Sequence, residues 1–172
     1  MTGLFANQRH LHLTSTIHLI EQALRGLGHD PHGCRLDTDH EEDAAWQFRH
    51  GSALTRIELT SGLAPRARGG DGLPPPGSDD AYLRIASIVM TLDASVDQLA
   101  LFTHLLRLNR ELRGLTLAAQ DGRVELAAER PCRDLDRSEI DDLLTRVSRR
   151  ADELDDQLVA RFGGHRGDYT AP

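Results

Sequence analysis

The residue type in this chain that most invites a chemical reading is histidine, because imidazole binds metals and exchanges protons near neutral pH. The chain has nine histidines, and two pairs are closely spaced: His10 with His12, and His29 with His32. Neither pair has paired cysteines or the four-residue helical spacing typical of zinc sites. We therefore expect no metal and no other cofactor. A metal- or ligand-binding domain in the histidine-rich N-terminal third, with enzymatic activity included, remains the alternative hypothesis.

The usual surroundings of a catalytic nucleophile are also missing. The sequence contains no Gly-x-Ser-x-Gly turn, and a chain without lysine cannot contain Ser-x-x-Lys. Cys132 follows a proline at the end of a predicted strand and has no evident histidine partner. The other cysteine, Cys34, is far away in sequence, a spacing typical of reduced thiols in a cytoplasmic protein. The sequence thus predicts a protein that is not an enzyme.

Charge and hydropathy argue against two further classes of protein. The net charge is −7, which argues against direct nucleic-acid binding, although a local arginine patch stays open. No apolar run approaches the ~20 residues of a membrane span, and the first residues lack the apolar core of a signal peptide. We expect a cytoplasmic protein with no membrane segment. A single domain at residues 13–164 lies between tails at 1–12 and 165–172.

Amphipathic helices begin and end the predicted domain. In the first helix, apolar residues recur at steps of three and four. They are Leu13, Ile17, Ile20, Leu24 and Leu27. The last helix starts at a capping box of Asp136 and Glu139 and stops at Gly163. Its apolar stripe comprises Ile140, Leu144, Val147, Ala151, Leu154 and Leu158.

Three strands follow the first helix. Trp46 and Phe48 share one face of the first strand, and the second strand alternates apolar and polar residues over 53–59. The third strand is apolar on both faces around residues 85–90, which indicates a central position in a sheet. Residues 62–80, between the second and third strands, are rich in glycine and proline and predict a long loop.

The clearest local prediction is a hairpin at residues 115–131. Asp121 and Gly122 suit a type I′ turn, which requires positive φ at both central positions. A turn centred there pairs Leu117 with Leu126 and places the apolar residues of both strands on one face. A slip of one residue would destroy that agreement, so the register is well determined.

A second helix is predicted between the third strand and the hairpin, from a capping box of Ser95 and Gln98 to about Leu112. It has two apolar stripes, set about 120 degrees apart around the helix. One stripe is Leu101, Leu105, Leu108 and Leu112, and the other is Leu99, Phe102 and Leu106. A helix that packs on a sheet needs only one apolar stripe for that contact. The extra stripe either belongs to a wide buried face in one core or meets a partner, and self-pairing about a two-fold axis would cover it.

These elements define an α+β fold, with a mainly antiparallel sheet and helices packed on it. The segment LLRLNRELRGLTLAAQDGRVELAAERP, with Leu108 and Asn109 before the hairpin, and ADEL in the last helix resemble the YbjN family and the type III secretion chaperones. The resemblance covers roughly residues 82–164. It implies a secretion-chaperone-like domain of order α-β-β-β-α-β-β-α that forms homodimers, commonly through the second helix, and binds client proteins or peptides.

From this resemblance we expect a non-enzymatic, dimeric chaperone-like adaptor that binds a partner protein or peptide segment. We assign the dimer interface to Leu101, Leu105, Leu108 and Leu112. We assign client contacts to Ile17 and Ile20 on the first helix and to Trp46 and Phe48 on the first strand. For Trp46, the only tryptophan, a position in the core is at least as good an interpretation.

Overall fold

The computed structural model describes residues 3–39, 43–60, 81–167 and 169, with side chains from residue 13 onward. The predicted loop at 62–80 lies outside the described residues, as do residues 168 and 170–172 of the predicted tail. The elements, in chain order, are α1 (Gly3–Gly26), β1 (Arg35–Leu36), β2 (Ala44–His50), β3 (Ala53–Thr60), β4 (Tyr82–Thr91), α2 (Gln98–Asn109), β5 (Thr116–Gln120), β6 (Arg123–Pro131) and α3 (Arg137–Phe162).

The strands form one six-stranded sheet in the order β1-β2-β3-β4-β6-β5. The pairs β1–β2 and β5–β6 are antiparallel. The α+β fold with an antiparallel sheet is therefore confirmed, and the element order differs from the predicted one only by the two-residue β1. β4 has neighbours on both sides, and its residues 85–90 are all buried, as expected for a central strand.

Contacts between residues divide the chain into two compact units. The first unit takes its described residues from 1–46, 57–84 and 130–141, and the second from 47–56, 85–129 and 142–172. The core of the first unit includes Ile20, Leu24, Trp46, Ile57, Leu83 and Ile140, all fully buried. The core of the second unit includes Met90, Leu101, Leu126 and Leu144, also fully buried, with further apolar residues of α3.

The helix α1 begins earlier than its apolar pattern predicts. The backbone is helical from Gly3, so most of the predicted tail at 1–12 is helix. This segment contains no proline that would stop a helix, and a pattern of buried residues marks only the part of a helix that packs. α1 ends at Gly26, and Gly28 follows with a φ of 86°.

The β5–β6 hairpin has the predicted register. Leu117 pairs with Leu126, and the turn residues Asp121 and Gly122 have φ of 49° and 73°. Both φ values are positive, as a type I′ turn requires. Local turn chemistry and the apolar pattern therefore agree here, and the register prediction is confirmed.

The ends of α2 differ from the prediction. The N-cap is Asp97, whose carboxylate accepts from the backbone N of Ala100 at 3.1 Å. Ser95, the predicted cap, instead donates its backbone N–H to Asp93 at 2.8 Å in the preceding turn. The predicted capping box of Ser95 and Gln98 is therefore wrong, and Asp97, another residue type favoured at helix N-termini, is the cap. The helix ends at Asn109 and not at Leu112.

The helix α3 agrees more closely with its prediction. Asp136 caps it by accepting from the backbone N of Glu139 at 2.9 Å. The Glu139 side chain does not complete the predicted capping box, because it pairs with Arg130 of β6. All six residues of the predicted apolar stripe are buried, and Gly163 follows the helix with a φ of 81°.

Candidate functional site

The two apolar stripes of α2 have opposite environments. Leu101 and Leu105 are buried, with 0% and 4% of their surface exposed. Leu99, Phe102 and Leu106 are 80%, 37% and 69% exposed. Leu101 and Leu105 were assigned to the dimer interface, but their burial within the protomer leaves almost none of their surface for a second chain. We call Leu99, Phe102 and Leu106 the exposed stripe.

Leu108 and Leu112 complete the set that was assigned to the dimer, and both are half-buried. A residue at either position has only part of its surface available to a second chain. Leu101 and Leu105 therefore form the inner face of α2, Leu108 lies at the border of that face, and Leu112 follows the end of the helix. Whether this helix contacts a second copy stays a prediction.

Asn109, at the end of α2, bonds to the backbone of Leu117 in the hairpin. Its Nδ2 donates to the carbonyl of Leu117 at 2.9 Å, and its Oδ1 accepts from the backbone N of Leu117 at 2.8 Å. Both bonds attach the helix to β5, which is an edge strand of the sheet. An edge strand offers unpaired backbone groups to other chains. Asn109 occupies these groups at Leu117 and closes that position to an added strand.

The four residues assigned to client contacts lie mainly in the interior. Ile20, Trp46 and Phe48 are at most 3% exposed, and Ile17 is half-buried. Apolar residues at helical or alternating spacing mark a face that packs, and the packing here is within the protomer. For three of the four residues, the structure therefore corrects the expectation of an accessible contact surface.

The environment of Trp46 explains why it belongs to the interior. The Arg35 guanidinium lies 4.4 Å from the centre of the indole ring, a cation–π distance. Arg35 and Trp46 are partners in the short β1–β2 pairing, so the strand register brings the two side chains together. The indole Nε1 is buried and has no hydrogen-bond partner among the described residues.

Of the two histidine pairs, His29 and His32 are among the residues whose side chains the structure describes. Across the described side chains, no group of three His, Cys, Asp or Glu residues is arranged to hold a metal ion. The side chains of His10 and His12 lie outside the described residues, so the alternative based on that pair stays a prediction. Among the described residues, no helix is long and apolar enough to cross a membrane.

A serine and two carboxylates join the β2–β3 turn to α3. The backbone N of Ser52 donates to Asp152 Oδ1 at 2.6 Å. The Ser52 hydroxyl lies 2.9 Å from the same oxygen and 2.6 Å from Asp155 Oδ2. A hydroxyl carries one proton and can donate to only one of them. The network is complete when Ser52 donates to Asp152 and a protonated Asp155 donates to Ser52.

The two carboxyl groups are tuned in opposite directions. Hydrogen bonds from the Ser52 backbone and side chain lower the pKa of Asp152. Burial raises the pKa of Asp155, against the opposing effect of the Ser52 hydrogen bond. Asp155 is 3% exposed, and its Oδ1 has no partner among the described residues. Their bonds to Ser52 account for both carboxyl groups as structural groups that hold the β2–β3 turn against α3.

Comparison with known sequences identifies the class of protein. Residues 76–168, more than half of the chain, match the family TY-Chap1, described as T3SS (YopN, CesT) and YbjN peptide-binding chaperone 1. The chain belongs to this family of peptide-binding chaperones. The predicted resemblance and the predicted chaperone-like, peptide-binding function are thereby confirmed. No curated protein sequence matches the chain significantly.

One solved structure with a TM-score above 0.5 has a similar fold. A chain of the ExsC–ExsE complex has a TM-score of 0.55 at 14% identity, covering 84% of this chain and 94% of that one. A chain of the ExoU–SpcU complex from the type III secretion system of Pseudomonas aeruginosa has a TM-score of 0.46 at 17% identity, covering 83% and 96%. A chain of the HopA1–SchA chaperone–effector complex has a TM-score of 0.43 at 16% identity, covering 84% and 95%. At these identities the likeness concerns the fold alone.

Proposed function

We propose that this chain is a homodimeric, non-enzymatic adaptor of the cytoplasm that holds a segment of a client protein. Membership of a peptide-binding family supports the client, and the exposed stripe on α2 supports the dimer. Three large apolar side chains on one helix face are a liability in water unless something covers them. A second copy, related by a two-fold axis, presents the same stripe and is the simplest cover.

The expected strength of this dimer follows from the exposed fractions. Burying Leu99, Phe102 and Leu106 from two copies is worth roughly 6–11 kcal/mol, at about 1.5–3 kcal/mol for each fully buried side chain scaled by its exposure. Association costs about 4–15 kcal/mol in lost freedom of motion. Because these ranges overlap, the exposed stripe alone supports a dimer that dissociates on dilution. Its mass must therefore be measured at several concentrations.

The test is Leu106→Arg, followed by light scattering during gel filtration. Leu106 is 69% exposed, so the substitution leaves the interior intact while it places a charge in the proposed contact. We expect the wild type to have the mass of two chains at high concentration and the variant to have the mass of one. The same substitution at Leu105 would not be informative, because a buried charge there would unfold the protomer.

Leu27→Arg is the matched control. Leu27 follows α1 and is 36% exposed, so it receives the same chemical change on a different element. This variant should keep the mass of the wild type. A folded Leu106→Arg variant that remains dimeric would refute the assignment of the dimer to the exposed stripe. A wild type that is monomeric at every concentration would refute the dimer itself.

A further inference from the structure

A cleft of about 400 Å³ opens in the second unit beside the turn that joins α2 to β5. One side consists of residues 111–113 with Leu115, and the other consists of α3 residues between positions 145 and 153. Four of the lining residues are arginines: Arg113, Arg146, Arg149 and Arg150. We infer that this arginine cleft receives an acidic, leucine-type apolar segment of the client peptide. The inference rests on the proposed client-binding function and names the chemistry of the client.

The wall of the arginine cleft is held by one of its own arginines. The Arg146 guanidinium donates to the carbonyl of Arg113 and pairs with Asp142 at 3.1 Å, which fixes the turn against α3. Gly114 lies at the apex of this turn with a φ of 68°, a conformation that glycine adopts without strain. The cleft is therefore formed before any ligand arrives, which lowers the entropic cost of binding.

The positive charge of the cleft is only partly neutralised. Arg150 pairs with Glu153 at 2.8 Å, and Arg146 is committed to the contacts above. Among the described residues, Arg113 and Arg149 have no ion pair, and both are exposed. The lining also contains Glu111, so its four arginines face two glutamates and leave an excess of two positive charges, in contrast to the net charge of −7 of the whole chain. An acidic segment is thus attracted to this place and repelled elsewhere.

The apolar residues of the cleft distinguish a peptide from a nucleic acid. Leu115 is buried at the base of the cleft, and Leu112 is half-buried beside it. Leucine side chains suit an aliphatic ligand, whereas single-stranded nucleic acids stack their bases on aromatic rings, which the lining lacks. Guanidinium groups bind carboxylates through paired hydrogen bonds. A peptide segment with glutamate or aspartate next to an aliphatic residue therefore matches both the arginines and the leucines of the cleft.

The test uses fluorescence anisotropy with two short labelled peptides. One alternates glutamate and leucine, and the other replaces every glutamate by glutamine. We expect the wild type to bind the glutamate peptide roughly tenfold more tightly, the effect of one lost charge-assisted contact. The double variant Arg113→Gln, Arg149→Gln should lose this preference. It should keep its fold, because Arg146 bonds the backbone carbonyl of residue 113, which the variant retains.

Arg161→Gln is the control for loss of a positive charge outside the cleft, because Arg161 lies at the end of α3 with its guanidinium 5.2 Å from the Phe162 ring. It should keep the preference for glutamate. Equal binding of both peptides by the wild type, no binding of either, or an undiminished preference in the double variant would overturn the inference. So would a labelled single-stranded oligonucleotide that binds more tightly than the peptide at the same arginines. Because the cleft lies within one chain, these results do not depend on the dimer, whose failure light scattering reports separately.

Discussion

Asn109→Ala should destabilise the protein by removing the attachment of α2 to the edge strand β5. The alanine loses two hydrogen bonds to the backbone of Leu117, at 2.8 and 2.9 Å. At a net value of about 0.5–1.5 kcal/mol for each bond, the loss is about 1–3 kcal/mol. Alanine is a better helix former than asparagine by several tenths of a kcal/mol, which offsets part of the loss. The measured change in the free energy of unfolding is therefore a lower bound on the contribution of the two hydrogen bonds. For a chain of this length, 2 kcal/mol corresponds to a fall of about 4–8 °C in Tm.

Urea unfolding followed by circular dichroism measures this change directly. Arg107→Ala is the control, since Arg107 is an exposed residue one half-turn earlier in the same helix. Its free energy of unfolding should stay within about 0.5 kcal/mol of the wild type, as for most surface substitutions. An Asn109→Ala variant as stable as this control would refute the argument that the amide stabilises the attachment of α2 to the hairpin. Greater aggregation of Asn109→Ala than of the control would agree with the opening of a strand edge.

Two further changes test the β2–β3 turn, which Ser52 bonds to Asp152 and Asp155 of α3. Gly51→Ala should cost clearly more than Gly122→Ala, which should lose about 1–2 kcal/mol. Both glycines have positive φ, 57° and 73°, but a Cβ at Gly51 would collide with Asp152, whereas the space at Gly122 is open. Equal urea midpoints for the two variants would contradict this. Asp155→Asn should raise the urea midpoint at pH 7 and leave it unchanged near pH 3. Because burial raises the pKa of Asp155, the stability linked to this group is fully present below its unfolded pKa of about 3.9 and is lost as pH rises through the folded pKa. An unchanged midpoint at pH 7 would count against a raised pKa of Asp155.

The parts of the fold that were predictable are those determined by short stretches of sequence. The β5–β6 register follows from Asp121, Gly122 and the alternation on each side, which all lie within a few residues of one another. The α3 stripe follows from helical spacing alone. The start of α2 was predicted wrongly, because the capping-box pattern pointed to Ser95 while Asp97, two residues later, can also accept from a free backbone N–H and does so.

The functional surfaces were less predictable because they depend on long-range contacts. Helical spacing shows that α2 has two apolar stripes, but it does not show which one faces inward. That choice depends on the packing of the folded chain, which buries Leu101 and Leu105 and brings Asn109 to the backbone of Leu117. The arginine cleft unites Arg113 with Arg149 from a different element, and no pattern in either segment indicates the other. The alternating spacing of Trp46 and Phe48 predicts that their face of the strand is covered. It does not show whether a client or the protomer covers it, and in the structure both residues are buried within the protomer.

The position of Trp46 has a practical consequence for spectroscopy. It is the only tryptophan in the chain and it is fully buried, so indole fluorescence reports on the surroundings of this one side chain. Circular dichroism reports on helices throughout the chain. Transitions that coincide for the two signals would indicate a single cooperative reaction, whereas separate midpoints would reveal an intermediate. One natural fluorophore thus allows the cooperativity of this fold to be measured without any label.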